Sequence, residues 1–325
     1  MVAIGVPVPA TAQGAGDTWT PPRTADGQPD LQGVWANNNI TPLERPEAWK
    51  EKDRLTDDEL AELRIAAAGA TDGGDALFGD QLALAAIART TATSYDPTTG
   101  NYNQFWIADR DFDNRTSLLV DPPDGRIPAL TPEAQQRLTD REQYRREHPA
   151  DSWADRGLSE RCITYGVPRI GAGYNSYYQV FQSADHVVIL MEMNHDARII
   201  PIDGRPHLDE SIRQWHGDSR GHWEGDSLVI ETTNYSPKSN FRGSSDNLHL
   251  TERLTRVGPT TLNYEVTIND PTTWTKPWTA VIPLKGTEDA IYEYACHEGN
   301  IGMAGILAGH RAEEREAAEA AKTLK

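Results

Sequence analysis

The second half of the chain is a series of short strand-like runs separated by turns, and this pattern constrains the fold most strongly. From Tyr177 onward, β-branched and aromatic residues recur in runs such as YYQVFQ, HVVILMEM, TLNYEVTIND and TAVIPLK. Gly, Asp, Asn and Pro separate the runs. Apolar positions that alternate with period two indicate strands, and many strands joined by short turns are typical of antiparallel sandwiches and barrels. The sequence therefore predicts a mainly β protein, an antiparallel β-barrel of lipocalin or calycin type.

The first half is predicted to wrap this barrel with an arm and a few helices. An arm rich in Pro, Gly and Asn is followed by Thr56 and Glu59, spaced as a capping box, and later by Thr131-Pro132, typical of a helix start. Residues 103–120 indicate one or two strands. The predicted organisation has four parts: a signal-peptide remnant or disordered tail at 1–16, the arm and helices at 17–176, the barrel at 177–300 and a C-terminal helix at 301–325.

The first residues and the two cysteines both bear on localisation. The start MVAIGVPVPATAQ is apolar and small, and it ends in an A-x-A pattern typical of a signal-peptide cleavage site, although no charged region precedes it. We therefore expect a periplasmic or secreted protein. In an oxidising compartment Cys162 and Cys296 are a candidate disulfide, contributing on the order of 4 kcal/mol. Buried thiols and a thiolate metal ligand remain alternatives.

Charge and composition restrict the partners. The formal net charge is −18, which argues against nucleic acid and anionic membrane surfaces. No run approaches the roughly 18 apolar residues of a membrane span. Nine Trp and eleven Tyr stand against five Phe, and rings with a polar tip suit the lining of a binding site. A small-molecule partner is therefore expected, and the oligomeric state is left open, a homo-oligomer included.

Three strand-like runs end in polar residues. These ends are His195-Asp196, Asn269-Asp270 and His297-Glu298. If they meet at one rim, they form a histidine and carboxylate cluster at the mouth of an apolar cavity, a common arrangement for a small-molecule site. We predict His195 as a general base oriented by Asp196, with His297 or Glu298 as the acid. The alternative is solvated strand ends with local salt bridges.

Other residues are predicted to bind the substrate. Arg198 or Arg213 would hold an anionic group, and Trp215 shares a strand face with Arg213. Tyr264 and Tyr292 are candidate hydroxyl donors into the cavity. Each of these side chains also suits a purely structural role.

No cofactor is predicted. His195, His207, His216 and His297, with nearby carboxylates, are enough ligands for a divalent ion, but no tight motif such as H-E-x-x-H or C-x-x-C is present. The G-x-S-x-G elbow, the P-loop and a G-x-G-x-x-G after a strand are also absent from the sequence. This argues against an α/β hydrolase, an NTPase and a Rossmann dehydrogenase.

Several long motifs carry a family resemblance, and they include HDARIIPIDGRPH, GDSRGHWEGDSLVIETTNY, DPTTWTKPWT and YEYACHEGN. With them the chain resembles a large family of uncharacterised exported bacterial proteins, and the similarity spans nearly the whole sequence. The resemblance implies export and a single architectural unit, and it transfers no catalytic residue. Exported families with many paralogues often suit the degradation of varied environmental compounds.

Together these features predict an exported enzyme that acts on a small, largely apolar and aromatic molecule. General acid–base chemistry of the lyase, isomerase or dehydratase type fits best, because no covalent nucleophile is recognisable. Two alternatives stay open: a metal-dependent hydrolase using the same cluster, and a non-catalytic periplasmic carrier of an apolar ligand.

Overall fold

A computed structural model of the protein describes residues 19–70, 80–90, 110–172 and 175–323. The predicted signal-peptide remnant at 1–16 and the start of the predicted strand region at 103–120 lie outside these residues.

Strands organise the described part of the chain into one sheet. In chain order they are β1 (Gly33–Ala36), β2 (Leu119–Asp121), β3 (Tyr177–Gln182), β4 (His186–Met191), β5 (Ala197–Pro201), β6 (Asp218–Glu224), β7 (Ser227–Thr233), β8 (His249–Gly258), β9 (Thr261–Asn269) and β10 (Trp278–Thr287). The hydrogen-bonded order is β5-β4-β3-β1-β10-β9-β8-β7-β6, with β2 beside β10. Every ladder is antiparallel. The predicted mainly antiparallel β architecture is confirmed as an open sheet whose edges are β5 and β6.

The N-terminal arm supplies a strand inside this sheet. Trp35 of β1 pairs with Tyr178 of β3 on one side and with Gly286 of β10 on the other. Its ring is buried, and Nε1 donates to the carbonyl of Leu31 at 2.9 Å. The predicted barrel range of 177–300 therefore leaves out β1, which joins β3 to β10 inside the sheet.

Four α-helices accompany the sheet in the described part of the chain: α1 (Asp57–Ala70), α2 (Gln81–Ala88), α3 (Pro132–Glu147) and α4 (Ile301–Thr323). The predicted capping box precedes α1, because the Thr56 N–H donates to Glu59 Oε2 at 2.9 Å and the Glu59 N–H donates to Thr56 Oγ1 at 3.3 Å. Thr131 caps α3 as predicted, its Oγ1 accepting from the Ala134 N–H at 3.1 Å. In the described part of the chain, no helix is long and apolar enough to cross a membrane.

The run AIYEYACHE, from Ala290 to Glu298, was predicted as a strand, and that prediction is wrong. Side chains of the β4–β5 connection engage its backbone in place of a neighbouring strand. The Tyr292 N–H donates to Glu192 Oε1 at 3.4 Å, and the Tyr294 N–H donates to His195 Nε2 at 2.7 Å. Cys296 is disulfide-bonded to Cys162, with a Cα–Cα distance of 5.6 Å. The segment is therefore an irregular strap tied to the body of the protein.

The inner face of the sheet is a closely filled core. The predicted apolar rows are buried, including Leu262, Val266 and Ile268 of β9 and Val187 and Ile189 of β4. A space beside Ile189, Leu262 and Tyr264 has a volume of about 20 Å³, which suits a single water rather than an aromatic ligand. That one space is therefore too small for an aromatic ring.

A buried ion pair crosses this core. Arg198 of β5 donates to Glu252 of β8 through Nη1 at 2.8 Å and also through Nη2. The same guanidinium donates to Ser219 Oγ at 3.1 Å and Thr232 Oγ1 at 3.2 Å. The hydroxyl of Tyr264 donates to Glu252 at 2.7 Å. Hydrogen bonds from one side chain therefore link the edge strand β5 to β6, β7 and β8.

The two edge strands also approach each other directly. A Cβ added to Gly221 of β6 would lie 2.8 Å from Ile202 Cγ2 and 3.1 Å from Ile200 Cγ2 of β5. Such distances leave no room for a larger residue, so glycine permits this approach. No hydrogen-bonded ladder joins β5 to β6 among the described residues.

Asp270 closes the end of β9 with a set of hydrogen bonds. Its carboxylate accepts from the Ser245 N–H, Thr272 Oγ1 and Thr273 Oγ1, each at 2.7 Å. Burial alone would raise the pKa of Asp270, but these hydrogen bonds stabilise the charged form and hold the pKa below its ordinary value. A depressed carboxyl pKa contributes stability above the unfolded-state pKa of about 3.9, and this stability is lost as the pH falls through the folded-state pKa.

Replacing Asp270 by Asn is expected to lower the free energy of unfolding by about 1–3 kcal/mol at pH 7, because hydrogen bonds to a charge are lost. Urea unfolding measured from pH 7 down to pH 2 should show the gap to wild type shrinking below about pH 4. Asp246→Asn is the matched control, since no hydrogen bond or ion pair joins the Asp246 carboxylate to another described residue. A gap that is constant across the pH range would contradict this role for the charge.

Candidate active site between strands β5 and β6

Polar residues at the ends of several strands lie on the same side of the sheet. Because neighbouring strands are antiparallel throughout, the C-terminal ends of β4, β7 and β9 lie on the same side of the sheet as the N-terminal ends of β5, β6 and β8. Carboxylates stand at several of these positions, among them Asp196 directly before β5, Asp218 at the start of β6 and Asp270 directly after β9. The polar ends of the strands therefore share one rim.

A cleft of about 740 Å³ opens at this rim, between β5 and the segment leading into β6. Ile163, Ile199 and Pro201 form an apolar part of its wall. The polar and aromatic part includes Thr164, Arg213, Trp215, His216 and Asp218. An apolar surface with a few converging polar groups is typical of small-molecule sites of this volume.

A three-residue network borders this cleft, and two of its members, Thr164 and His216, line it. Thr164 Oγ1 contacts His216 Nε2 and donates to Asp196 Oδ2 at 2.8 Å. The same Asp196 oxygen accepts from the Tyr165 N–H at 3.1 Å and lies 3.5 Å from His216 Nε2. Thr164 and Asp196 are buried, and the His216 side chain is 19% exposed. A histidine is thus held by two buried groups while part of its ring meets the cleft.

The hydrogen bonds assign the tautomer of His216. A threonine hydroxyl has one proton and two lone pairs. The proton of Thr164 goes to Asp196, and one lone pair accepts from the Gly166 N–H at 2.8 Å. The contact with His216 then requires Nε2 to donate, so Nε2 carries the proton. In the neutral ring Nδ1 holds the free lone pair, and no hydrogen bond joins it to another described residue. His216 is therefore arranged as a general base through Nδ1.

Arg213 and Trp215 flank this histidine. Arg213 is exposed, donates through Nη1 to the Asp246 carbonyl at 2.8 Å, and has no carboxylate partner among the described residues. Trp215 is half-buried and lines the cleft beside it. A guanidinium without a counter-charge and an indole that line the same cleft suit a ligand with a carboxylate and a flat ring.

The carboxylate of Asp218, also in the cleft, is already neutralised. Arg220 donates to Asp218 Oδ1 at 2.7 Å, and His207 Nδ1 lies 2.8 Å from Oδ2. The Leu208 N–H also donates to Asp218 Oδ2 at 3.0 Å. Asp218 therefore does not repel an anion placed beside Arg213.

The predicted catalytic residues separate into two groups. Asp196 lies in the cleft network, whereas His195 accepts from the Tyr294 N–H and holds the C-terminal strap. His297 and Glu298 are exposed on that strap and do not line the cleft. The structure thus brings Asp196 together with His216 and Thr164 and does not assemble it with His195, His297 or Glu298.

The predicted substrate-binding residues separate in the same way. Arg213 and Trp215 line the cleft. Arg198 also borders it, but the Glu252 carboxylate satisfies its charge. Tyr264 is buried, and burial together with the Glu252 charge holds its pKa well above the ordinary value, so it remains a protonated donor to Glu252. Tyr292 is 72% exposed on the strap.

The histidines named as metal ligands do not come together. His195, His207 and His216 hold separate partners: Tyr294, Asp218 and Thr164. Among the described residues, one group has the spacing of a metal site, formed by Asp151, His310 and Glu314 where α4 meets the loop after α3. Arg311 binds the carbonyl of Asp151 and the carboxylate of Glu314, so this group is already part of a surface salt-bridge network.

Comparison with known proteins adds little. No protein-family model and no curated protein matches the chain. A solved structure of a secretory abundant heat soluble (SAHS) protein from Ramazzottius varieornatus is similar at a TM-score of 0.23 and 10% sequence identity, over 34% of this chain and 70% of that one. A similarity at that level supports no functional argument. The resemblance to exported bacterial proteins stays a prediction.

Proposed function

We propose that the protein is an enzyme that acts on a small aromatic carboxylate by general acid–base chemistry, of the lyase or isomerase type. The observation that carries the proposal is the orientation of His216. Its Nε2 is fixed by Thr164 and Asp196, which leaves Nδ1 as the basic nitrogen in an open cleft of about 740 Å³. A histidine oriented in this way is the usual general base of proton-abstracting enzymes.

In this proposal each group of the cleft has one task. His216 Nδ1 takes a proton from the substrate, and Asp196, 3.5 Å from Nε2, stabilises the imidazolium that forms. Arg213 binds the substrate carboxylate, and Trp215 packs against the ring. Thr164 is a positioning residue, because its hydroxyl is fully engaged by Asp196, Gly166 and His216.

We further infer that the sheet closes into a lipocalin- or calycin-like barrel and that the protein is exported. The approach of Gly221 to Ile200 and the hydrogen bonds of Arg198 across to β8 support closure. The Cys162–Cys296 disulfide supports export, since such bonds persist in oxidising compartments.

The first test of the proposal is ligand binding by isothermal titration calorimetry with a panel of aromatic carboxylates. Arg213→Gln is expected to weaken binding roughly 10- to 100-fold, because a charge-assisted hydrogen bond contributes about 1.5–3 kcal/mol. Arg315→Gln, an exposed arginine of α4, is the control for loss of one positive charge. If no member of the panel binds with a Kd below about 1 mM, or if Arg213→Gln binds like wild type, the proposed site is wrong.

A further inference from the structure

A second groove, of about 690 Å³, adjoins the cleft. Thr164 and Trp215 line both spaces, so the two meet at the indole and at the positioning threonine. The second groove runs between α3, the loop from Trp153 to Gly166, and the segment from Pro237 to Asn240. Together the two spaces are much larger than a single aromatic ring requires.

Positive charge dominates this second groove. Five lining side chains are cationic: Arg141, Arg145, Arg156, Arg161 and Lys238. The carboxylate among the lining residues, Asp155, is held by the Ser152 N–H at 2.7 Å and by the Tyr144 hydroxyl at 2.9 Å. The groove is therefore a cationic surface on a chain whose formal net charge is −18.

Most of these cations have no counter-charge. Arg156 pairs with Glu160 at 2.8 Å. The other four have no carboxylate within 4.0 Å in the described part of the chain. Burial, and then the charges of Arg145 and Arg137, lower the pKa of Arg141. Crowded like charges destabilise one another, and a bound anion would relieve that repulsion.

Exposed aromatic rings accompany the cations. The Trp153 side chain is 58% exposed, and the Arg161 guanidinium lies 4.6 Å above its ring. Tyr165 is 52% exposed, with the Arg169 guanidinium 5.0 Å above it. A guanidinium on one face fixes each ring and leaves flat apolar surface for a second ring.

We propose that the substrate is an extended aromatic molecule with at least two anionic groups, and that it passes Trp215 to place the second anion in the cationic groove. This inference rests on the proposed function, which places the first carboxylate at Arg213. Carboxylate, sulfate and phosphate share the required chemistry, because each accepts paired hydrogen bonds from guanidinium groups. Arg141 and Arg145, four residues apart on one face of α3, bind the second anion together with Lys238.

The test compares biphenyl-4,4′-dicarboxylate with biphenyl-4-carboxylate by calorimetry in low-salt buffer. Wild-type protein should bind the dicarboxylate at least about tenfold more tightly, and Arg141→Gln or Arg145→Gln should remove most of that preference. Arg146→Gln is the matched control: it lies one position further along α3, is exposed and does not line the groove. High salt should reduce the preference by screening.

Three results would overturn the inference. Equal affinity for the two compounds in wild type would show that the groove makes no use of a second anion. An equal loss in Arg145→Gln and Arg146→Gln would reflect only the overall charge. Dicarboxylate affinity that depends on Arg145 but not on Arg213 would mean an anion site separate from the cleft. Failure of the proposed function would give a different result: the preference for the dicarboxylate would persist, but substitution of His216 would leave the rate of substrate conversion unchanged.

Discussion

Replacing Glu252 by Ala is expected to lower the free energy of unfolding by about 3–5 kcal/mol, the usual cost of leaving one member of a buried ion pair alone. Burial disfavours the charge on Arg198, and the Glu252 carboxylate compensates by raising the pKa of that guanidinium. Without Glu252 the charge of Arg198 stays buried with no counter-charge, and the Tyr264 hydroxyl loses its acceptor. Urea unfolding at pH 7 measures the loss.

The control for this variant is Glu224→Ala, which removes an exposed partner of Arg253. Surface pairs contribute about 0–1 kcal/mol, so this variant should unfold close to wild type. If Glu252→Ala also loses less than about 1 kcal/mol, water reaches Arg198 and the pair does not hold β5 to β8. Arg198 would then be available to a ligand, as the sequence alone predicted.

Replacing His216 by Gln is expected to lower kcat by roughly 10²- to 10⁴-fold, the usual contribution of a general base. Glutamine keeps an N–H donor for Thr164 but has no basic nitrogen, so the network can persist without the chemistry. KM and the urea midpoint should change little, because Arg213 and Trp215 are untouched. Steady-state kinetics on a compound converted by wild type measure the effect.

His222→Gln is the matched control for this variant. His222 lies on the neighbouring strand β6, is exposed and pairs with Glu224, away from the cleft lining. It should retain wild-type kcat. A fall in the urea midpoint of His216→Gln that parallels its loss of rate would point to a structural role for the network.

The strands and helix starts were predictable because local patterns specify them. The apolar alternation in β4 and β9 marks the buried face, and the capping box at Thr56 marks the start of α1. The position of β1 was not predictable, because it has four residues and lies between partners far away in the chain. Such non-local pairing leaves no periodic signal in so short a strand.

His195 lies apart from the cleft network for a local reason. Alternation continued beyond β4 would place His195 on the face of Val187 and Ile189, but the strand ends at Met191. Asn194 and His195 then adopt positive φ angles of 59° and 53°, so the chain turns and the two-residue period no longer applies. His195 consequently faces the C-terminal strap, while the next residue, Asp196, reaches Thr164.

The three-residue network of Thr164, Asp196 and His216 could be predicted only in part from the sequence. His216 stood beside Arg213 and Trp215 in the sequence, and it was considered as a metal ligand rather than as a base. Thr164 lies in an irregular loop, 32 residues from Asp196 and 52 from His216. One feature of the sequence could have pointed to Thr164: it lies two residues after Cys162, and the disulfide of that cysteine anchors the loop.

The measurement that tests the account most directly is conversion of a panel of aromatic carboxylates, followed by mass spectrometry, for wild type, His216→Gln and His195→Gln side by side. We expect wild type and His195→Gln to convert at least one compound at similar rates, and His216→Gln to be at least about 100-fold slower. Equal rates for wild type and His216→Gln, with His195→Gln inactive, would place the chemistry on the strap side. Saturable binding without conversion by any of the three would make the protein a carrier.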